Sequence, residues 1–360
     1  MMRFEPRQSV PAALSIAAPI GAGIAALALA AIPLAFAGAP ILAAYGLMFR
    51  GAFGSVFAFS ETLTRTTPLI LTGLAAAVAF RARLWNIGGE GQLYAGALAA
   101  VAVGTGLINL PPAVMVPLVL IAGALAGALL MLGPALLKLK FGADEVVTTL
   151  LLNFVMLLFV QMMLEGALQD PMGLGWPQSA PIIDAATLPP LIPRMRLHSG
   201  LLIGLFAAVA VAILIRRTVW GFEIRAVGEN AAAARFAGIP VTATMVRVAL
   251  LSGGLAGLAG VGEVAGLKGY LTTDLSPGFG YAGIVVAMLA GLSPLGVVAA
   301  ALFIAAVFVG ADSMSRGTGV ASYIADLVVA MSLLSVLVGG FVTRYRIRFV
   351  RAQAPAQTGA

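Results

Sequence analysis

Long apolar runs, separated by short polar stretches, occupy the chain from residue 14 to 342. A membrane-spanning helix needs about 20 mostly apolar residues. On that basis ten segments are predicted, near 14–36, 64–82, 91–108, 113–136, 146–165, 199–215, 244–264, 281–292, 295–312 and 322–342. The eighth and ninth are short, with only GLSPLG (291–296) between them. The expected fold class is therefore all-α, a polytopic membrane bundle of about ten transmembrane helices. Two longer intervals lie between spans. The first, 37–63, is poor in charge and rich in Gly and Phe, whereas 166–198 carries Pro171, Pro177, Pro181, Pro189, Pro190 and Pro193. That proline density excludes a spanning helix and favours extended surface backbone. Loops of such length are often functional, an ordered cap being the alternative.

Two further patterns bear on architecture. Arg3, Arg7 and the AFAG at 35–38 resemble a secretory signal, but the uncharged run from Ser9 to Phe49 far exceeds an apolar core of about 7–15 residues, so a retained first span is expected. GEGQLYAGALAAVAVG (89–104) resembles GFGYAGIVVAMLAG (278–291), and the two copies would enter the membrane from opposite faces. An inverted repeat of this kind places a solute path at its interface. A chance match among Ala and Gly is the competing reading.

Composition agrees with the pattern: 61% of residues are hydrophobic and 10% charged, against about 25% charged in soluble domains. The basic residues give the orientation. With the N-terminus cytoplasmic, fifteen Lys and Arg fall on that side and six on the other, which places both termini inside. The expected organisation is a tail at 1–13, a transmembrane domain at 14–342, and a tail at 343–360. Within the domain, 216–243 is cytoplasmic and 166–198 external. The net charge of +7 then reads as topology and contact with membrane lipid, with no nucleic acid implied. There is no Cys, and His198 is the one His. Thiolate or imidazole metal sites and imidazole relays are thereby excluded, so no catalytic set and no metal are expected. No phosphate-cradling G-x-x-x-x-G-K-[ST] occurs, and any ATP chemistry must come from another chain.

Several polar residues sit inside or beside the apolar runs. In LWNIGGEGQLY (84–94), Gly88, Gly89 and Gly91 interrupt helical geometry, while Asn86, Glu90 and Gln92 bring polar groups near the membrane. Irregular backbone at that depth needs protein or a water-filled cavity around it. Either a broken helix faces a pathway, with Trp85 or Tyr94 free to stack on a ring, or the stretch is a cytoplasmic turn with an interfacial Trp. In FGADEVVTTLLLNF (141–154), Asp144 and Glu145 suit a helix N-terminus, and Asn153 is either helix–helix glue or a pathway hydrogen-bonder. Span seven holds two small-xxx-small pairs, Gly253 with Gly257 and Gly262 with Gly266, which let helices approach closely. Its Glu263 is a functional candidate as an acid within a span, or else the partner of Lys268. Asp274 and Phe279 follow in a Gly/Pro turn and are candidates for a vestibule.

RAVGENAAAARFAGIP (225–240) is polar and helix-like between two apolar spans. Asn230 is placed to cap, Ala231 to Ala237 favour helix, Gly238 supplies a left-handed stop and Pro240 prevents continuation. A helix of about two turns results, too short to be stable alone. Its small residues suit a partner's cleft, with Phe236 and Ile239 as apolar anchors.

This segment resembles the coupling-helix signature of ABC importer permeases, G-x-N-x-x-A-A-R-x-A-G-I, through Gly228, Asn230, Ala234, Arg235, Ala237, Gly238 and Ile239, with Glu229 and Phe236 at its variable positions. LWNIGGEGQLYAGA and GADEVVTTLLLNF are similar to the nucleoside and simple-sugar branch of the branched-chain amino acid/ribose-type permeases, which usually has Asn where Asp144 stands. The resemblance covers roughly 60–340. It implies a ten-span transport subunit of the cell membrane, a second permease chain, two cytoplasmic ATPase domains that bind ATP and Mg, and an extracytoplasmic solute-binding protein. The chain itself then needs no cofactor. The candidate pathway groups are Trp85, Asn86, Glu90, Gln92, Tyr94, Asn153, Glu263 and Phe279. They are mostly neutral and favour a neutral, ring-bearing solute: a nucleoside, or alternatively a ribose-type sugar. An ion-coupled secondary transporter is the competing class, and it would want paired embedded acids.

Overall fold

Threonine is a mediocre helix former because its hydroxyl competes for backbone partners. The stretch SETLTRTT (60–67) is nonetheless helical and buried. Each threonine hydroxyl turns back on its own helix: Thr64 bonds the Ser60 carbonyl (2.8 Å), Thr66 that of Thr62 (2.7 Å) and Thr72 that of Pro68 (2.9 Å). The hydroxyls are thus satisfied, with Thr62 and Thr72 also reaching the carbonyls of Ala52 and Phe279, and the helix extends to Val56, eight residues before the predicted span.

The structure, a computed structural model, describes residues 2–6, 12–106 and 110–349. Its helices are α1 (Ala12–Phe36), α2 (Ile41–Phe53), α3 (Val56–Arg81), α4 (Gly89–Gly104), α5 (Pro112–Phe141), α6 (Glu145–Leu164), α7 (Gly200–Arg217), α8 (Val219–Glu229), α9 (Ala231–Phe236), α10 (Val241–Val261), α11 (Phe279–Leu289), α12 (Pro294–Thr318) and α13 (Ser322–Arg344). α10 continues as a π-helical turn, Gly262–Lys268. A backbone ribbon pairs β1 (Met2–Pro6) antiparallel with β2 (Tyr345–Phe349) and brings the two ends together. The remainder of the predicted tails, 7–11 and 350–360, and the end of the third span at 107–108 lie outside the described residues.

All ten predicted stretches contain a helix. Among the described residues, seven helices are long and apolar enough to cross a membrane, or eight if α1 and α2, bent by 119° at their junction, count as one. The interval 37–63 is therefore largely helical. α4 has 16 residues and α11 has 11, which at 1.5 Å per residue gives roughly 24 and 17 Å against a hydrocarbon core of about 30 Å. Neither crosses alone.

α3 is the central post, enclosed by α7, α10, α11 and α12, and α10 packs on α4 and α5. The second contact rests on missing side chains. A Cβ on Gly253 or Gly257 would strike the backbone of Gly127 or Gly123 on α5, and one on Gly96 or Gly260 would strike backbone across the α4–α10 seam. The first small-xxx-small pair thus does what its spacing predicts. The second does not join helices: Gly266, and more loosely Gly262, border the ring of His198.

The interval 166–198 is an ordered cap. Its backbone N–H groups at Ile182, Ile183 and Leu188 donate to the carbonyls of Gly269, Gly104 and Ala265, at 2.7–2.8 Å. The end of the bundle under this cap is termed the loop face, and the opposite end, carrying α8 and α9, the coupling face.

Candidate functional site

The coupling segment is built from local signals. Thr218 caps α8 through Gly221 N–H (3.0 Å). Asn230 leaves helical geometry and its Oδ1 accepts from Ala232 and Ala233, both at 3.0 Å, to start α9. Gly238 at φ +82° ends it, and Ile239 N–H closes the turn on the Ala234 carbonyl (3.0 Å). The motif residues then separate into two sets. Phe236 is 97% exposed, and Glu229, Arg235, Ala237 and Gly238 are exposed with it, whereas Ile239 is half-buried. Ala234 is only 4% exposed and faces inward. Gly228 is buried against α3, where a Cβ would collide with the Arg81 carbonyl. These two small residues seat the segment, and Phe236 is its free apolar contact.

The irregular stretch before α4 is satisfied by one face of α6. Glu145, Thr149 and Asn153 stand one turn apart on it. The Glu145 carboxylate accepts from Trp85 N–H (3.3 Å) and the Thr149 hydroxyl from Ile87 N–H (3.2 Å). Asn153 Oδ1 accepts from Gly91 N–H (2.8 Å), while its Nδ2 donates to the Ile87 carbonyl (2.9 Å) and the Tyr281 hydroxyl (3.2 Å). Asn153 therefore joins α6, α4 and α11 as glue. Asp144 caps α6 through Val146 N–H (2.7 Å). Glu145 also pairs with Lys138, which makes it a three-way tie as well as a first-turn acid.

Asn86 and Gln92 answer each other. Their amides exchange two hydrogen bonds at 2.9 Å, and Asn86 Nδ2 also donates to Ser252 on α10 (2.9 Å). Both are buried, and such reciprocal pairing meets the demand for satisfied buried polar groups. Glu90 is buried too, its Oε2 accepting from Gly280 N–H at the start of α11 (2.6 Å). α4 and α11 thus meet N-terminus to N-terminus. The buried Tyr94 donates to the Thr273 carbonyl (2.7 Å) and accepts from Ser276 N–H (3.2 Å), holding the approach to α11.

The other candidates are scattered. Trp85 is 43% exposed with its ring tilted against Phe80. Phe279 is buried edge-on against Phe308 and does not open on a vestibule. Glu263 is buried in the π turn. The Lys268 ammonium lies 3.6 Å from Asp274 and bonds its carbonyl (3.0 Å), so among the described residues no Glu263–Lys268 ion pair forms.

Comparison with known proteins settles the family. The family described as branched-chain amino acid transport system, permease component, matches residues 58–338. The chain belongs to this permease family. It is 38% identical to the glucose ABC transporter permease protein TsgB13 of Haloferax volcanii over 96% of this chain and 93% of that one. It is 37% identical to the guanosine ABC transporter permease protein NupP of Bacillus subtilis over 92% and 94%. The nucleoside ABC transporter permease protein NupB of Lactococcus lactis is 34% identical over 86% of each. A second permease protein from each of the last two organisms matches at 28% and 27%. The chain is a transmembrane permease subunit of an ABC importer, and a multi-pass membrane protein.

The permease also carries a polar chamber that its candidate residues do not include. At the loop face, Glu61, Arg65, Arg194, Arg196, Asp312 and Arg316 line a cavity of about 690 Å³. Arg65 pairs with Asp312 at 2.6 Å, and Arg196 reaches Glu61 at 3.8 Å. A sequence signal was available: Glu61 with Arg65, and Asp312 with Arg316, repeat an acid–base spacing of four on two apolar helices, which places each pair on one face.

Proposed function

We propose that this permease carries nucleosides, driven by ATP hydrolysed on separate ATPase chains. The observation that carries the reading is the match at 34–37% identity, over most of the chain, to permeases of guanosine and nucleoside transporters. The chemistry inside the bundle fits. The buried groups between α4, α6, α10 and α11 are chiefly amides and hydroxyls, with two carboxylates already engaged, Glu90 by Gly280 and Glu145 by Trp85 N–H and Lys138. Among the described residues no arginine is buried with them to hold an acidic solute. Glucose is the second reading, favoured by the 38% identity to TsgB13.

The coupling face lies in the cytoplasm, where Phe236 and its exposed neighbours dock on an ATPase. The loop face, with its charged chamber, receives a solute-binding protein. A second, non-identical permease chain completes the pore, as paired permease proteins in two related systems suggest. Ten crossings follow if α4 with residues 82–88, and α11 with residues 269–278, each count as one crossing made of half helix and half irregular backbone. Their opposed directions and touching N-termini are what an inverted repeat would give. Asn86, Glu90, Gln92, Tyr94 and Asn153, clustered where α4, α6, α10 and α11 meet, are the candidates for the wall of the solute route.

Uptake by the complex reconstituted with its ATPases and binding protein tests this reading, using labelled guanosine, uridine, glucose, ribose and leucine. Nucleoside uptake that stops without ATP is the expected result. Transport of glucose alone would favour the second reading, and transport of leucine alone would overturn both.

A further inference from the structure

Arg81 at the end of α3, Arg216 at the end of α7 and Arg225 on α8 line one cavity of about 260 Å³ at the coupling face, together with Ile215, Ser293 and Pro294. Arg216 and Arg225 are the charges that Arg81 feels most strongly, and both are positive. One Arg81 Nη donates to the Leu292 carbonyl at 2.9 Å, which fixes this guanidinium at the cavity wall. Among the described residues no carboxylate pairs with any of the three. The fourth wall is the start of α12, a 25-residue helix whose N-terminal dipole adds further positive potential. Topology alone asks for basic residues near span ends. It does not ask three guanidiniums from three helices to converge on one cavity without a counter-ion.

We propose that this cavity binds the phosphate of an anionic membrane lipid. Guanidinium forks match phosphate oxygens in pairs, and basic pockets between membrane helices at the cytoplasmic side take anionic headgroups. The ends of α3, α7 and α12 place the cavity at headgroup level, beside apolar flanks such as Ile215. The lipid would brace α8, and through it Asn230 and α9, against α3 and α12. The site rests on the coupling face meeting the cytoplasmic leaflet, and not on which solute is carried.

The test is lipid retention by the assembled transporter, read by native mass spectrometry from nanodiscs. One arm holds phosphatidylcholine alone, a second adds phosphatidylglycerol, and a third adds inorganic phosphate to that phosphatidylglycerol mixture. The wild-type complex should retain phosphatidylglycerol. Each arginine lost should weaken retention roughly fivefold, so Arg216→Gln with Arg225→Gln should weaken it about 25-fold. The control Lys140→Gln with Arg217→Gln removes equal charge from the same face and should retain lipid. Should the double variant not assemble, Arg216→Gln alone, at an exposed position, should show the fivefold loss. Equal retention by variant and control overturns the proposal. So does inorganic phosphate displacing the lipid in full, or loss of ATPase chains in place of lipid. Because retention is measured without transport, failure here is distinct from a failed uptake assay.

Discussion

The carboxylate of Glu90, at the start of α4, accepts a hydrogen bond from the backbone N–H of Gly280, at the start of α11, 2.6 Å away. Two helix N-termini, each with partial positive charge, face one another in the core of the protein, and a single acid is shared between them. Glu90→Ala leaves Gly280 N–H buried without that partner and should destabilise the permease by about 1–3 kcal/mol. Glu90→Gln keeps an acceptor oxygen and should cost less. Thermal unfolding of the purified complex compares them; equal melting temperatures for Ala and wild type would remove Glu90 as a clamp.

Gly257→Ala should prevent stable folding, because the new Cβ meets the Gly123 backbone, which cannot rotate aside as a side chain would. Gly46→Ala, where a new Cβ meets no atom outside its own helix, should be neutral or slightly stabilising, since Ala gains up to about 1 kcal/mol over Gly in a helix interior. The level of membrane-inserted protein after mild detergent extraction reads both.

Phe236→Asp should leave the permease folded, with the side chain in water, and should lower solute-stimulated ATP hydrolysis at least tenfold. Ala234→Glu should instead lower the amount of folded protein, because it buries an unpaired charge. If Phe236→Asp hydrolyses ATP normally in response to loaded binding protein, α9 is not where the ATPase docks.

His198 predicts a pH dependence. Burial holds its imidazole neutral down to about pH 4, against 6.5 in a free chain, and among the described residues its Nε2 has no partner. Between pH 6.5 and 4 the unfolded chain takes up a proton that the folded one refuses. Stability from this residue is therefore complete above pH 6.5 and declines as pH falls to 4, by up to about 3 kcal/mol. His198→Gln should flatten the fall in melting temperature over that window, and an unchanged profile would count against it.

Legibility in the sequence followed the range of each signal. The coupling segment was readable residue by residue because Asn230, Gly238 and Pro240 act on backbone within a few positions of themselves. The start of α3 was hidden because its threonines look polar until their hydroxyls are seen to bond their own helix. α2 was hidden by Gly46, Gly51 and Gly54 in a short, weakly apolar run. Asn86 and Gln92 stood out as polar groups in broken backbone, facing a pathway or lying in a turn, and the structure buries both. Their pairing spans only six residues, but the support from Glu145, Thr149 and Asn153 joins segments about 60 residues apart, which no local pattern encodes. The regular i, i+4, i+8 spacing of those three α6 residues was the trace that remained.

α9 is tied to α10 without slack, since Val241 N–H bonds the Ile239 carbonyl and Thr244 N–H bonds that of Pro240. α10 then runs 21 residues, about 32 Å, and from Gly253 to Val261 it lies against α4 and α5 at their glycines. A helix cannot shorten without breaking its hydrogen bonds. If α9 is where an ATPase docks, α10 is the stiff member through which axial thrust would reach the loop face. At its far end the helix passes into the wider winding of Gly262–Lys268, directly beneath the cap, where Ala265 and Gly269 carbonyls accept from Leu188 and Ile182 N–H. Such a linkage would be geared by stiffness, its stroke set by how far α9 moves.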